Sequence, residues 1–443
     1  MTMELRLETT GREVIKPSSP APIDHLQLSV FDLSFPVVYV PVTFFYESPT
    51  GESPEIISNR LKTSLSETLS RFYPLAGRIE GISINCNDEG VLFTEARTDV
   101  ILSDFLRNFN TDSFEDFFPK IEEGESAGTW PLMRVKVSFF GSGSGFAVNI
   151  GISHMICDAA SLLNFVQGWA ATANDVAVTT PPFAGVTIYP PPHTYSSKDD
   201  VSVGGDKYVT NRFVFESSKI AELKRKAVSK SVPVPTRVEA ITSLIWRCAR
   251  NASHSNSAAP KSTLMIQAMD LRMRIPSDVL SQDAMGNLQS IFFLKKEADS
   301  AMEIGELVAD FRKAKQGFNE MIEDNLQGYN SATSTITTNT LGYYLLDVMG
   351  AFTSESKMDV DLYPMSSWCK KPFYEVDLGW GVPVWMGPVM YTNPIKKSGV
   401  LMMDSKDGKD VEAWITLSEQ DTQVFVRDQD LLTYAVLNPP VLI

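Results

Sequence analysis

A histidine followed four positions later by an aspartate, in the segment "ISHMICD", is the pattern in this chain with the clearest chemical capacity. An imidazole changes its protonation near pH ~6.5, so His154 could accept a proton and return it in one reaction at neutral pH. His154 and Asp158 supply too few ligands for a metal site, and no metal is expected. The other histidines, His25, His193 and His254, lie among proline, serine, asparagine and aspartate. The spacing alone fits either an acid–base site or a hydrogen-bonded core histidine.

The segments on both sides of His154 predict how the two side chains are held. The preceding "FAVNIGIS" is an apolar run typical of a buried strand, and the following "DAASLLNFVQGWA" carries apolar residues at helical spacing. His154 should therefore lie just beyond a strand end. Asp158 stands where the helix begins, and a carboxylate there accepts hydrogen bonds from free backbone N–H groups, a cap worth ~1 kcal/mol. We therefore predict a structural role for Asp158.

Length and composition limit the classes of protein to consider. The chain has 443 residues, 43% of them hydrophobic, which is enough for two or three globular domains. No stretch approaches the ~18 apolar residues of a membrane span, and the N-terminus lacks the apolar core of a signal peptide. The four cysteines are far apart and match neither a disulfide framework nor a metal-ligand spacing. These features predict a cytoplasmic protein without stable membrane insertion.

The charge of the chain is acidic but uneven. The net charge of −15 argues against binding to nucleic acid or anionic membranes, because both need a basic surface. Residues 207–274 are the exception, since they hold thirteen lysines and arginines and only four acidic residues. This basic segment fits either a solvated helix face or a landing site for a small polyanion such as a nucleotide-containing cofactor.

Alternating helix and strand patterns predict an α+β protein with two lobes of similar size. Residues 191–210 concentrate proline, serine, glycine and aspartate, which is typical of a crossover linker, so the predicted lobes are 1–190 and 211–443. The clearest helix predictions cover residues 57–72, 236–250 and 301–325. Sheet predictions are a hairpin over 131–153 and strands over 90–100, 262–272 and 290–298.

Five motifs occur in the order seen in plant BAHD acyltransferases and span nearly the whole chain. They are "FYPLAGR" at 72–78, "ISHMICD" at 152–158, "MGN" at 285–287, "SSWCKKPFYEVDLGWGVP" at 366–383 and "DSKDGKDVEAWITL" at 404–417. The chain therefore resembles this family, and within it the branch that includes vinorine synthase and salutaridinol acetyltransferase. That branch also has counterparts of "PSSPAP" near the N-terminus.

The resemblance implies two lobes like those of chloramphenicol acetyltransferase, each a mixed β-sheet with flanking helices, with an active-site channel at their interface. His154 would act as the general base, taking the acceptor's proton and returning one to the departing CoA sulfur. Asp158 would be a positioning residue that pairs with an arginine. Ser366 and Trp368 match a family segment that faces the channel, so they are the candidates to stabilise the oxyanion.

The resemblance implies a structural role for the "DLGWG" motif, a tight bend away from the histidine. Its members in this role are Asp377, Gly379, Trp380 and Gly381. The aspartate would pair with Arg274 or Arg272, and Leu378 stands where the family usually has phenylalanine. Another departure is "DAMGN" in place of the family's YFGN, so that only Asn287 is carried over from that motif.

The resemblance also implies the substrates. Acyl transfer would occur directly in a ternary complex, from acetyl-CoA to a hydroxyl of a plant alkaloid or terpenoid, with no permanently bound cofactor. Ser243, Lys224 and Arg237 lie in the region where the family holds CoA, and they are the candidate cofactor-binding residues. The alternatives are another acyl-CoA donor, an amine acceptor, or an inactive member that keeps the fold. A monomer is expected.

Overall fold

The structure, a computed structural model, describes residues 5–35, 38–119, 130–191, 207–327, 329–330, 335–336, 360–390 and 398–443. The strands in these ranges are β1 Glu8–Ile15, β2 His25–Gln27, β3 Tyr39–Glu47, β4 Arg78–Glu80, β5 Ser83–Asn85, β6 Val91–Arg97, β7 Met133–Phe139, β8 Gly145–Ser153, β9 Tyr208–Phe215, β10 Ser262–Asp270, β11 Gln289–Lys296, β12 Tyr329–Asn330, β13 Thr335–Ile336, β14 Val360–Ser367, β15 Trp385–Pro388, β16 Gly399–Asp404, β17 Val411–Ser418 and β18 Val436–Leu437. The α-helices are α1 Val30–Ser34, α2 Pro54–Leu69, α3 Leu102–Arg107, α4 Ala159–Ala173, α5 Gly185–Ile188, α6 Ser217–Lys226, α7 Arg237–Asn256, α8 Ile304–Leu326, α9 Glu419–Phe425 and α10 Gln429–Tyr434.

The first lobe is built on a six-stranded sheet in the order β1-β6-β7-β8-β3-β15. Its neighbouring strands run antiparallel, except for the parallel pair β6 and β7. β7 and β8 form the predicted hairpin, and every residue of β8 is buried, as its apolar run predicts. Helices α2 and α4 pack against each other and share one apolar core with this sheet.

The second lobe is built on a seven-stranded sheet in the order β11-β10-β14-β16-β17-β9-β18. β14 runs parallel to both β10 and β16, so the sheet is mixed. Helices α7 and α8 pack against each other and contribute to the second apolar core. The predicted helices and strands are all present, and the largest shift is at the end of α7, which continues to Asn256.

The two sheets do not divide the chain at a single point. β15, from the second half of the sequence, pairs with β3 and completes the first sheet. In the other direction, Val30 and Phe31 of α1 pack into the core of the second lobe. The expectation that 211–443 forms only the C-terminal lobe is therefore corrected for β15, which covers the exposed edge of β3. Most of the predicted linker, 192–206, lies outside the described residues, and β9 begins at Tyr208.

The cysteines form no disulfide bonds. All four cysteines are free, and Cys86, Cys157 and Cys248 are buried. Burial raises the pKa of the Cys86 thiol to about 11, so this group stays protonated at neutral pH. Within the described ranges, no helix combines the length and apolar character needed to cross a bilayer.

Candidate active site

His154 follows directly after the last residue of β8. Its backbone N–H donates to the carbonyl oxygen of Val38 at 2.6 Å. Its ring stacks on Phe35, with the ring centroids 4.3 Å apart and the planes inclined by 9°. The residue is partly exposed, unlike the strand before it. The end of a buried strand and an aromatic neighbour therefore fix the imidazole of this partly exposed residue.

Asn287, from the second lobe, contacts both the ring and the backbone of His154. His154 Nδ1 lies 3.0 Å from Asn287 Oδ1, and Asn287 Nδ2 donates to the carbonyl oxygen of His154. Asn287 is completely buried and lies just before β11. Only the family resemblance nominates this residue, because its local sequence carries no site pattern. The site is thus assembled from both lobes.

Asp32, which no pattern in the sequence links to a site, holds Asn287 in turn. Its Oδ1 accepts from the backbone N–H of Asn287 at 2.8 Å and from Nδ2 at 3.2 Å. Its Oδ2 accepts from the backbone N–H and the hydroxyl of Ser29, at 2.9 and 2.6 Å, in a capping box at the start of α1. The spacing of Ser29 and Asp32 predicts a helix cap, but nothing local connects that cap with the histidine.

Asp158 is the N-cap of α4, as predicted, and is 2% exposed. Its carboxylate accepts hydrogen bonds from the backbone N–H groups of Ser161 and Leu288, each at 2.9 Å. The arginine partner that the resemblance implies is Arg272, with Nη1 2.8 Å from Asp158 Oδ2. Burial acts to raise the pKa of Asp158, but the Arg272 charge and these hydrogen bonds hold it below its usual value. Asp158 therefore stays ionised at neutral pH.

Arg272 is the centre of a buried network beside the histidine's loop. It is 2% exposed and donates to the hydroxyl of Ser161 and to the carbonyl of Gly286. Asp270 accepts from Arg272 at 3.2 Å and forms an ion pair with Lys371 at 3.1 Å. Lys371 belongs to the same motif as the oxyanion candidates. A row of alternating charges therefore connects that motif with the histidine's loop.

The protonation of His154 suits acceptance of a proton. Burial lowers its pKa below the usual 6.5, although its hydrogen bonds and the charge of Asp158 act in the opposite direction. The imidazole is therefore neutral at pH ~7. A neutral imidazole held in one orientation on a partly exposed residue meets the geometric and electrostatic needs of a general base.

The oxyanion candidates lie at the carboxyl end of β14. β14 runs parallel to β10, so the carboxyl ends of the two strands lie side by side. The chain leads from the end of β10 into Arg272. Ser366 is half-buried, whereas Trp368 is 5% exposed, donates its backbone N–H to Met402 at 2.7 Å and packs on Phe373.

The "DLGWG" motif packs at the end of α4 that is distant from the histidine. Asp377 Oδ1 accepts from the backbone N–H groups of Gly379 and Gly381, each at 2.8 Å. The two glycines have φ values of 102° and 89°, which other residues adopt only at a cost. The indole N–H of Trp380 donates to Glu52 at 2.8 Å. The motif is a packed bend.

The expected ion pair of Asp377 with Arg274 or Arg272 is wrong. Arg272 pairs with Asp158, and Arg274 donates to the backbone carbonyl of Asp270 at 2.5 Å. The physical reason is burial. Asp158 is enclosed and needs a charged partner, whereas Asp377 is partly exposed and is satisfied by N–H groups of its own bend.

The candidate CoA-binding residues differ in accessibility. Ser243 is 2% exposed within α7, so it offers no surface to a ligand in this structure. Lys224 is partly exposed on α6, and Arg237 begins α7 and forms an ion pair with Asp404 at 2.6 Å. Among the described residues, no group of three or more His, Cys, Asp or Glu side chains could hold a metal ion.

Comparison with known proteins decides the family. The model of the "Transferase family" matches residues 5–432. The BAHD acyltransferase BIA1 of Arabidopsis thaliana is 59% identical over 445 residues, which cover 99% of this chain and 100% of that protein. This chain is a BAHD acyltransferase. Its family membership and its acyl-CoA-dependent transferase class are thereby confirmed as predicted.

Two further comparisons describe this BAHD acyltransferase. It is 32% identical over 452 residues to the minovincinine 19-hydroxy-O-acetyltransferase of Catharanthus roseus, with 97% of this chain and 98% of that protein covered. The crystal structure of vinorine synthase matches it with a TM-score of 0.80 at 28% identity, over 97% of this chain and 98% of that one. The predicted α+β fold with two sheet-rich lobes is confirmed.

Proposed function

We propose that this BAHD acyltransferase transfers an acetyl group from acetyl-CoA to a hydroxyl of a plant alkaloid or terpenoid, with His154 as general base. The observation that carries the proposal is the imidazole of His154, held between Asn287 and Phe35 on a partly exposed residue. Burial lowers its pKa, which favours the neutral form that a general base needs. The donor and the kind of acceptor are supported by the name of the related O-acetyltransferase from Catharanthus roseus.

The reaction is a direct transfer in a ternary complex. The acceptor's hydroxyl proton moves to His154 as its oxygen forms a bond to the thioester carbonyl carbon. The tetrahedral intermediate then collapses, the carbon–sulfur bond breaks, and the proton passes from the imidazolium to the CoA sulfur. General base assistance of this kind contributes about 10²- to 10⁴-fold to the rate. Asp158 positions the histidine's loop and takes no proton.

Ser366 and Trp368 are the proposed donors to the oxyanion. Both match the family segment that faces the channel, and both lie at the carboxyl end of β14, beside the end of β10 that leads to the Arg272 network. A preorganised donor typically contributes about 3–4 kcal/mol to stabilisation of the transition state.

A cationic surface near the start of α7 is proposed to hold the CoA phosphates. Lys224 and Arg237 are its members predicted from sequence, and we propose Lys315 of α8 as a third. Burial lowers the pKa of Lys315, and the nearby charges of Arg274 and Arg312 lower it further. Crowded cations of this kind are stabilised by a bound polyanion. CoA should therefore raise the melting temperature more than dephospho-CoA does. Equal shifts would exclude a contact with the 3′-phosphate, and the absence of any shift would contradict the phosphate site.

Thiol release with acetyl-, malonyl- and hydroxycinnamoyl-CoA tests the substrates. Each donor is paired with alkaloid alcohols, terpenoid alcohols and an amine, and the highest kcat/KM is expected for acetyl-CoA with an alcohol. A preference for another donor or for the amine would replace the proposed substrate, and no release from any pair would favour the inactive alternative. Because burial lowers the pKa of His154, the decrease of kcat/KM in acid should occur at a lower pH than for an ordinary histidine.

We also propose that the enzyme acts as a cytoplasmic monomer. His154 and Asn287 meet within one chain, so a second copy is not needed to complete the site. Sedimentation velocity should show one species of 49.1 kDa, and a stable dimer would contradict this proposal.

A further inference from the structure

We infer that Asn287 and Asp32 are positioning residues that hold the proton of neutral His154 on Nδ1 and leave the lone pair of Nε2 for the acceptor. The inference rests on the proposed role of His154 as the base and adds which ring nitrogen accepts the proton. The three residues come from separate elements, namely α1, the loop after β8 and the segment before β11.

The orientation of the Asn287 amide is fixed by what its nitrogen faces. Nδ2 donates to the backbone carbonyl of His154 and, at 3.2 Å, to Oδ1 of Asp32. A carbonyl and a carboxylate oxygen can only accept, so reversing the amide would place oxygen against oxygen at both contacts. Asn287 Oδ1 therefore points toward the imidazole.

The position of the ring proton follows from this orientation. Asn287 Oδ1 can only accept, and it lies 3.0 Å from His154 Nδ1. In a neutral imidazole one nitrogen donates and the other accepts, so the contact requires the proton on Nδ1. Nε2 is then the proton acceptor. Stacking on Phe35, with only 9° between the planes, restricts rotation of the ring.

Asp32 stabilises this arrangement through Asn287. Its two carboxylate oxygens accept four hydrogen bonds, two from Asn287 and two from Ser29. Burial raises the pKa of Asp32, while these four donors act to lower it by favouring the ionised form. Without the carboxylate, two N–H groups of Asn287 would lose their shared acceptor, and only the carbonyl oxygen of His154 would still orient its amide.

Nuclear magnetic resonance of protein labelled with ¹⁵N-histidine reads the tautomer directly. The chain has only four histidines, and His154→Ala identifies the signal to follow. Protonated and bare ring nitrogens have well separated ¹⁵N shifts. In the wild-type protein without substrate, we expect a protonated Nδ1 and a bare Nε2. The opposite tautomer would overturn the inference even if His154→Ala is inactive, so the two proposals can fail separately.

Variants test whether Asn287 and Asp32 set this tautomer. Asn287→Ala should give a mixture of tautomers and lower kcat about 10²-fold with little change in KM, the low end of the effect of a general base. Asp32→Ala should act in the same direction but by about tenfold, because Asn287 remains.

Ser29→Ala is the matched control, since it removes one donor to Asp32 and leaves both hydrogen bonds from Asn287. It should keep the wild-type tautomer, and circular dichroism verifies that each variant is folded. A folded Asn287→Ala protein that keeps a single Nδ1–H tautomer and the wild-type kcat would overturn the inference. If that variant does not fold, the wild-type ¹⁵N spectrum still decides.

Discussion

Two loops built around an aspartate lie at opposite ends of α4, and they satisfy that aspartate in different ways. At the amino end, Asp158 is buried and pairs with the buried Arg272 of the second lobe. At the carboxyl end, Asn174 donates to the backbone carbonyl of Asp377 at 2.7 Å, and the Asp377 carboxylate accepts from N–H groups of its own bend. The first loop depends on the other lobe for its charge balance, whereas the second does not.

The difference lies in what surrounds each carboxylate. A buried charge is tolerated only when it is paired, so Asp158 makes the placement of Arg272 part of the active-site loop. The second loop is anchored by the packing and hydrogen bonding of Trp380. Its ring centroid lies 4.5 Å from the guanidinium carbon of Arg60, and its indole N–H donates to Glu52. The DLGWG motif is therefore a packed bend although it is the more distinctive in sequence, whereas the segment of His154 and Asp158 holds the proposed general base.

Removal of Arg272 should have the largest effect on stability. Arg272→Ala leaves the buried Asp158 carboxylate without its cation, which typically costs about 3–5 kcal/mol of unfolding free energy. Arg274→Ala is the matched control, because Arg274 is partly exposed and donates to Asn319 and to a backbone carbonyl, for an expected loss of about 1–2 kcal/mol. Urea unfolding measures both losses, and equal values would contradict the proposed importance of the buried pair.

Asp158→Asn tests the same ion pair through the pH dependence of the unfolding free energy. The folded-state pKa of Asp158 is held below 3.8, so the pairing contributes stability above that value and loses it as the pH falls toward the folded-state pKa. At neutral pH we expect the variant to be less stable than the wild type by about 2–4 kcal/mol. This gap in unfolding free energy should become smaller below about pH 4. Chemical unfolding at several pH values tests this, and a gap unchanged at about pH 3 is the contrary result.

Asp377→Ala should have a smaller effect that is confined to stability. It removes the acceptor for two backbone N–H groups in a partly exposed bend, so about 1–2 kcal/mol of unfolding free energy should be lost. The folded fraction should keep the wild-type kcat. Thermal melting together with thiol release measures the two quantities. A folded variant whose kcat drops as far as that of Asn287→Ala would give this bend a chemical role.

Glu52→Gln should have the smallest effect. The amide oxygen of glutamine can still accept from Trp380, and only the exposed ion pair with Arg60 is lost, a pair with an N–O distance of 3.3 Å. Exposed pairs contribute about 0–1 kcal/mol, so the melting temperature should stay close to that of the wild type. A large decrease would mean that charge, rather than packing, anchors the second loop.

Local features of the site could be predicted from sequence, and its long-range contacts could not. The strand end before His154 and the N-cap at Asp158 follow from apolar spacing and capping chemistry within one short segment. Their partners are distant: Arg272 lies 114 positions from Asp158, Asn287 lies 133 from His154, and Asp32 lies 255 from Asn287. Such contacts depend on how the two lobes pack, which periodicity does not encode.

The fold, too, could be predicted from sequence only where local patterns determine it. Helices α7 and α8 have strong apolar periods, which predict both helices, although α7 continues six residues beyond its predicted end. The crossing of β15 into the first sheet was not predicted, because a strand of four residues in a segment rich in proline and glycine has no clear period. Its place is set by the free edge of β3, a property of the assembled sheet.

The most direct test of His154 as the base is acetyl-CoA-dependent thiol release by the wild type, His154→Ala and Asp377→Ala, each with its melting temperature. We predict that His154→Ala stays folded and loses transfer by about 10²- to 10⁴-fold, while folded Asp377→Ala transfers at the wild-type rate. A folded His154→Ala enzyme that keeps most of its activity would contradict the central role of this histidine.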